Sequence, residues 1–299
     1  MLIKTYKSYF LQELSTIYDE MEATSFFYLI LEHLYQLKRI DLALNPDFEI
    51  SENDMVRWQN KLTELKTQKP IQYILGETEF YGLKFLVNEN VLIPRPETEE
   101  LVELILKSTK EKVQSTDLKV IDIGTGSGCI AISLAKNLPN AKVFAIDVSE
   151  KAILTAQENA KQNGVEVNFI QQNILEIDEL IKLPTSSFQR PTFFDIIVSN
   201  PPYVRMLEKE EIKTNVLEYE PHLALFVEDN DALIFYRKIA QLAKKSLTEN
   251  GKLYFEINQY LGKETVTLLE KMDFKNIELL QDIYGNDRMI SCSKTNNYS

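Results

Sequence analysis

Val120-Ile121-Asp122-Ile123-Gly124-Thr125-Gly126-Ser127-Gly128 decides the fold. Residues of buried-strand type run into a loop in which every second residue is glycine, and a helical apolar pattern, Cys129–Asn137, begins at once. Glycines let backbone approach a ligand, and the free N–H groups at the start of the next helix favour a carboxylate or phosphate. A glycine turn alone is a weak signal. Here it follows a strand, and Asp147 ends the next strand pattern 19 residues after Gly128, where an acidic side chain can accept hydrogen bonds from ribose hydroxyls. The spacing leaves NAD and S-adenosylmethionine both open, with the GxGxG form tilting toward the latter. A residue of this type can also simply cap the following helix, the less favoured reading of Asp147.

On both sides of this loop, strand-length apolar runs alternate with helical patterns: Lys119–Ile123, Cys129–Asn137, Lys142–Asp147, Glu150–Asn163, 167–172 and Phe194–Ser199. Such alternation predicts an α/β fold with a mostly parallel sheet covered by helices. A helix at 232–247 and strands at 252–257, 274–280 and 289–293 complete the pattern, the last two close enough to pair antiparallel. Upstream, Tyr6, Phe10, Leu14, Ile17 and Tyr18, then Phe27, Ile30, Leu31, Leu34 and Leu37, then Met55, Trp58, Leu62 and Leu65 after the N-cap Ser51, have helical spacing. They predict a small helical domain over residues 1–70. Residues 71–95 read as a hairpin linker, with Gly76 and Gly82 at turn positions, and residues 96–299 as the α/β domain, opening with a helix over 98–110.

The second informative stretch is Phe194-Asp195-Ile196-Ile197-Val198-Ser199, which delivers Asn200-Pro201-Pro202-Tyr203 at the ligand-facing end of a strand. The two prolines remove backbone donors and leave the Pro201 carbonyl and the Asn200 side-chain oxygen free to accept hydrogen bonds from one planar NH₂ group. Tyr203 offers that group a flat face. Together they describe a holder for an amide or exocyclic amine, whose nitrogen becomes a better methyl acceptor when both N–H groups are bound.

Composition narrows the classes. Over 299 residues, 44% hydrophobic and 26% charged content is globular, and no run approaches the roughly 18 apolar residues of a membrane helix. Charged residues through the first 22 positions break any secretory signal, and Cys129 and Cys292 read as reduced core residues, so the expected location is cytoplasmic. A net charge of −12 opposes non-specific attraction to nucleic acid. His33 and His222 form no metal-ligand pattern.

With these motifs in place, the chain resembles the HemK/PrmC-type peptide chain release factor glutamine methyltransferases. The likeness is carried by Gln72-Tyr73-Ile74-Leu75-Gly76, Leu92-Ile93-Pro94-Arg95-Pro96-Glu97-Thr98-Glu99, the 122–128 loop, Asn200-Pro201-Pro202-Tyr203 and Tyr284-Gly285-Asn286-Asp287-Arg288. It implies a class I S-adenosylmethionine-dependent methyltransferase: a Rossmann-like, seven-stranded, mostly parallel sheet with a small N-terminal helical domain that docks the release factor. The implied reaction methylates the glutamine side chain of the release-factor Gly-Gly-Gln motif. Gly124, Thr125, Gly126, Ser127, Gly128 and Asp147 would hold the cofactor, and Asn200 would face cofactor and substrate. Pro201, Pro202 and Tyr203 would complete the amide site, and Arg95, Glu97 and Glu99 would shape its entrance. Asn173-Ile174 stands where relatives often carry an acidic residue followed by an aromatic, and 226–233 replaces a glycine-rich link. For Glu220-Pro221 and Asp287-Arg288, a turn and a surface ion pair remain as simple readings. The alternatives are a ribosomal-protein glutamine methyltransferase, a DNA adenine methyltransferase, and a cofactor-binding translation adaptor without catalysis.

Overall fold

The computed structural model describes residues 1–109, 118–180 and 193–295, and these form two compact units. The first, Met1–Glu77 with Lys213–Tyr219, is helical. It contains α1 (Ile3–Leu14), α2 (Glu20–Tyr35), α3 (Arg39–Leu44), α4 (Glu52–Lys66) and α5 (Ile71–Leu75). Asp19 and Ser51 start α2 and α4 by accepting the N–H groups of Glu22 and Asp54, which helix ends otherwise leave unpaired. The aromatic stripe is the core of this unit: Phe27 stacks on Trp58 with centroids 5.0 Å apart, and Phe10 meets both edge-on.

The hairpin expected from residue 71 begins later. Ile71–Leu75 is a helical turn because Pro70 presets its start, Gly76 ends it in the left-handed conformation (φ 76°), and Ile71 and Ile74 are buried in the helical core. The strands β1 (Glu77–Phe80) and β2 (Leu83–Leu86) follow, joined through Tyr81 and Gly82, both left-handed as a tight hairpin turn demands.

The second unit, Thr78–Ile212 with Glu220–Ser299, holds the sheet. Its elements are α6 (Pro96–Thr109), β3 (Lys119–Ile123), α7 (Cys129–Asn137), β4 (Lys142–Asp147), α8 (Glu150–Asn163), β5 (Asn168–Gln171) and β6 (Phe194–Ser199). After these come α9 (Ile234–Ser246), β7 (Leu247–Glu256), α10 (Gly262–Lys271), β8 (Lys275–Gln281) and β9 (Asp287–Ser293). The order is β8-β9-β7-β6-β3-β4-β5; β7, β6, β3, β4 and β5 run parallel and the β9 and β8 pairings are antiparallel.

Side-chain alternation along the strands supplies two cores. Ile121, Ile123, Ile146, Ile197 and Phe255 face α9 and α10, whereas Val120, Val143, Val198 and Tyr254 face α6 and α7. Cys129 and Cys292 are buried and free. Among the described residues no helix is long and apolar enough to cross a membrane.

This topology places the site. From β3 the chain moves outward to β4 and β5, then returns to lay β6 on the other side of β3, so the order reverses between β3 and β6. Loops leaving the carboxyl ends of those neighbours diverge and leave a crevice. The glycine loop leaves β3, and Asn200 leaves β6.

Candidate active site

A cavity of about 350 Å³ opens at that crevice. Gly124, Thr125, Gly126, Ser127, Asp147, Asn200, Pro201 and Pro202 line it, so most residues singled out from the sequence converge on one space. Gly124 and Thr125 donate their N–H groups to the Ile146 carbonyl at 2.8 and 3.0 Å, which bends the loop across the end of β4. Asn159, on α8, holds it from behind: its Nδ2 donates to the Ser127 and Leu86 carbonyls and its Oδ1 accepts the Leu86 N–H.

Gly128 differs from its neighbours. It does not line the cavity, and a Cβ there would lie 2.8 Å from Ile132 Cδ1 and 3.1 Å from Ala156 Cβ. Its φ of 82° adds a conformational reason for glycine. This glycine lets α7 start against α8, whereas Gly124 and Gly126 have open space where a side chain would project.

Asp147 accepts the N–H groups of Gly126 (2.8 Å) and Ser149 (2.9 Å), while Ser149 itself caps α8 through Ala152. The helix-cap role therefore belongs to Ser149. Burial pushes the Asp147 carboxyl above the usual carboxylate range, opposed by those backbone donors. Deeper in β3, burial pushes Asp122 up to about 7 against the hydrogen bond from the Thr125 hydroxyl.

At the other wall, Asn200 donates Nδ2 to Thr98 Oγ1 at 3.3 Å. Thr98 donates its own proton to Glu256 Oε2 at 2.6 Å, and Tyr203 donates to Glu256 Oε1 at 3.1 Å. Tyr203 is not among the cavity-lining residues; its partly buried ring packs on the core, and its hydroxyl donates to the buried Glu256 carboxyl because a buried phenol hydroxyl needs an acceptor. Burial raises the Glu256 carboxyl, opposed by the Thr98 and Tyr203 hydrogen bonds and by the Arg288 charge.

Arg95 lines the cavity and pairs with Glu220 at 2.5 Å; Glu220 is buried and also accepts the Ile93 N–H at 3.3 Å. Glu99 instead holds the Tyr81 N–H, and Glu97 does not line the cavity. Arg288 pairs not with Asp287 but with the fully buried Asp282 carboxylate, so the adjacent pair Asp287-Arg288 is not a surface ion pair. Asn173 and Ile174 both line the cavity. The sequence reading gives no site role to Thr98, although it lies in a quoted motif, nor to Asn159 or Glu256. An acidic residue closing the inner-strand run Leu253-Tyr254-Phe255-Glu256 was the available signal for the last.

Two family models match the chain: a methyltransferase domain over residues 114–292 and a PrmC N-terminal domain over residues 8–76. Among curated proteins, the release factor glutamine methyltransferase of Flavobacterium psychrophilum is 64% identical over 97% of this chain and 98% of its own length. That of Bacteroides thetaiotaomicron is 42% identical over 96% and 98%. Among solved structures, the hMettl16 catalytic domain in complex with MAT2A 3'UTR hairpin 1 matches with a TM-score of 0.53 and 18% identity, covering 73% of this chain and 77% of that one, a likeness of fold.

Proposed function

The chain belongs to the release factor glutamine methyltransferases, and on that premise we propose how its residues carry methyl transfer to a glutamine side chain. It is an enzyme of protein methylation, and the alternatives of a DNA or ribosomal-protein substrate are not favoured by its relatives. The donor we assign is S-adenosylmethionine, and the acceptor is the amide nitrogen of the glutamine in a release-factor Gly-Gly-Gln motif. The helical unit, Met1–Glu77 with Lys213–Tyr219, is assigned to docking that protein, and the cytoplasm is the assigned compartment.

The lining residues suit the donor. Asp147 is held by two N–H groups and retains lone pairs for ribose hydroxyls, Gly124 and Gly126 leave room for close approach, and Ile174 offers an apolar wall to a base. When bound, S-adenosylmethionine supplies a methyl group on a positively charged sulfur.

An amide nitrogen is a poor nucleophile because its lone pair is delocalised into the carbonyl. Asn200 Oδ1 and the Pro201 carbonyl accept its two N–H groups, raise electron density on nitrogen, and stabilise the positive charge that develops there. Pro201 and Pro202 hold this turn rigid and place no competing N–H beside it. Tyr203 acts from outside the cavity, through Glu256. Positioning supplies much of the acceleration.

The observation that carries this reading is the meeting, in one cavity, of the glycine loop, Asp147 and the Asn200-Pro201 pair. Incubation with methyl-labelled cofactor and purified release factor, followed by mass spectrometry of the digest, is expected to place label on the motif glutamine. Label on DNA or a ribosomal protein, or cofactor binding with no transfer at all, would replace it. Asp147→Ala is expected to weaken cofactor binding about 10- to 100-fold, the loss of charge-assisted hydrogen bonds, and to lower the melting temperature as well, because the Gly126 and Ser149 N–H groups lose their acceptor. Calorimetric titration checks this, and an unchanged Kd would remove Asp147 from the site.

A further inference from the structure

A carboxamide has two ends of nearly equal shape and opposite chemistry. If the Asn200 side chain were turned end for end, it would present N–H donors to the N–H groups of an incoming amide, and the holder would repel its substrate. Something must decide which end faces the cavity.

We propose that Thr98 and Glu256 are positioning residues that fix the Asn200 carboxamide with its oxygen toward the substrate. This rests on the amide-holder role assigned to Asn200 above. The Thr98 hydroxyl has one proton, and that proton goes to Glu256 Oε2 at 2.6 Å. Toward Asn200 it can therefore only accept, which selects Nδ2, at 3.3 Å. The Thr98 and Tyr203 hydroxyls, at 2.6 and 3.1 Å, and the Arg288 charge favour the carboxylate form of Glu256 against its burial, and a carboxylate has no proton to give back to Thr98.

The chain of bonds has one direction: Asn200 to Thr98 to Glu256. Thr98 is 2% exposed and Glu256 1%, so bulk water does not compete for the bond between them, and the acceptor that Thr98 presents to Asn200 keeps its direction. Two prolines after Asn200 add to the effect, since no backbone N–H at 201 or 202 competes for Oδ1. The three participants come from three elements, the first turn of α6 and the ends of β6 and β7.

The test compares Thr98→Val, which keeps the shape and removes the hydroxyl, with Thr98→Ser, which keeps the hydroxyl. Thr98→Val is expected to lower kcat about 10- to 100-fold, with KM for release factor and Kd for cofactor within about threefold, and Thr98→Ser to recover most of the rate. An unchanged kcat in Thr98→Val, or an equal loss in both variants, overturns the inference.

A second readout does not depend on the reaction. The Nδ2 amide resonances of Asn200, identified by their disappearance in Asn200→Asp, are expected to shift in Thr98→Val and hold in Thr98→Ser; identical resonances in all three forms overturn the inference. If wild-type enzyme labels no release factor, the functional reading fails, while these resonances still report whether Asn200 Nδ2 meets the Thr98 hydroxyl.

Discussion

Asn200→Ala is expected to lower kcat about 10²- to 10³-fold while leaving cofactor affinity within a few-fold, the range found when one preorganised electrostatic partner of a transition state is removed. The truncation deletes Oδ1, one of the two assigned acceptors, and leaves only the Pro201 carbonyl to bind the substrate amide. Positive charge developing on the nitrogen then loses half of its stabilisation, and the amide gains a rotation that the pair had suppressed. Because Asn200 makes its side-chain bond to Thr98 at the cavity wall, the sheet should survive, and circular dichroism should match wild type. Single-turnover transfer of labelled methyl to release factor is the measurement, and a wild-type rate would end the assignment of Asn200 as a catalytic residue.

The second large effect concerns stability. Gly128→Ala should destabilise the fold by about 1–2 kcal/mol for a non-glycine residue in the left-handed region and by a further 1–3 kcal/mol, roughly, for crowding. The crowding is specific: the new Cβ would lie 2.8 Å from Ile132 Cδ1 and 3.1 Å from Ala156 Cβ, and Ala156 has no long side chain to move aside. Gly126→Ala, at φ 55° in open space, carries only the conformational cost, and its main effect should fall on cofactor binding. Urea unfolding of the two variants separates the roles. Equal loss of stability in both would contradict the packing role given to Gly128.

Where the signal was local, the sequence was legible. The strands β3, β4 and β6 and the helices α7 and α8 span the residues their patterns indicated, because an inner strand is a continuous apolar run and the turns beside it carry glycine, proline or an N-cap. The errors have equally local causes. β7 begins at Leu247 rather than 252, since Thr248, Glu249 and Asn250 show no apolar alternation and the extension comes from pairing of Leu247 with Phe194. Ile71–Leu75 carries β-prone residues, yet burial of Ile71 and Ile74 in the helical core outweighs that propensity. The helix predicted over 98–110 is present from Pro96 through Thr109, and residue 110 lies outside the described residues.

By itself the sequence determined the order of strands and helices, the loop that admits a cofactor, and the delivery of Asn200 and Pro201 to a strand end, all of which depend on neighbours along the chain. Tertiary structure alone decided that Gly128 packs helices, that Tyr203 serves Glu256, and that Arg95 is paired with a buried Glu220. It also decided the orientation of Asn200, through bonds to residues 102 positions away and, from Thr98 onward, another 158. Hydrogen bonds between distant residues leave no periodicity in the chain. Only folding brings a single proton on Thr98 between an amide and a carboxylate and so gives that amide its direction.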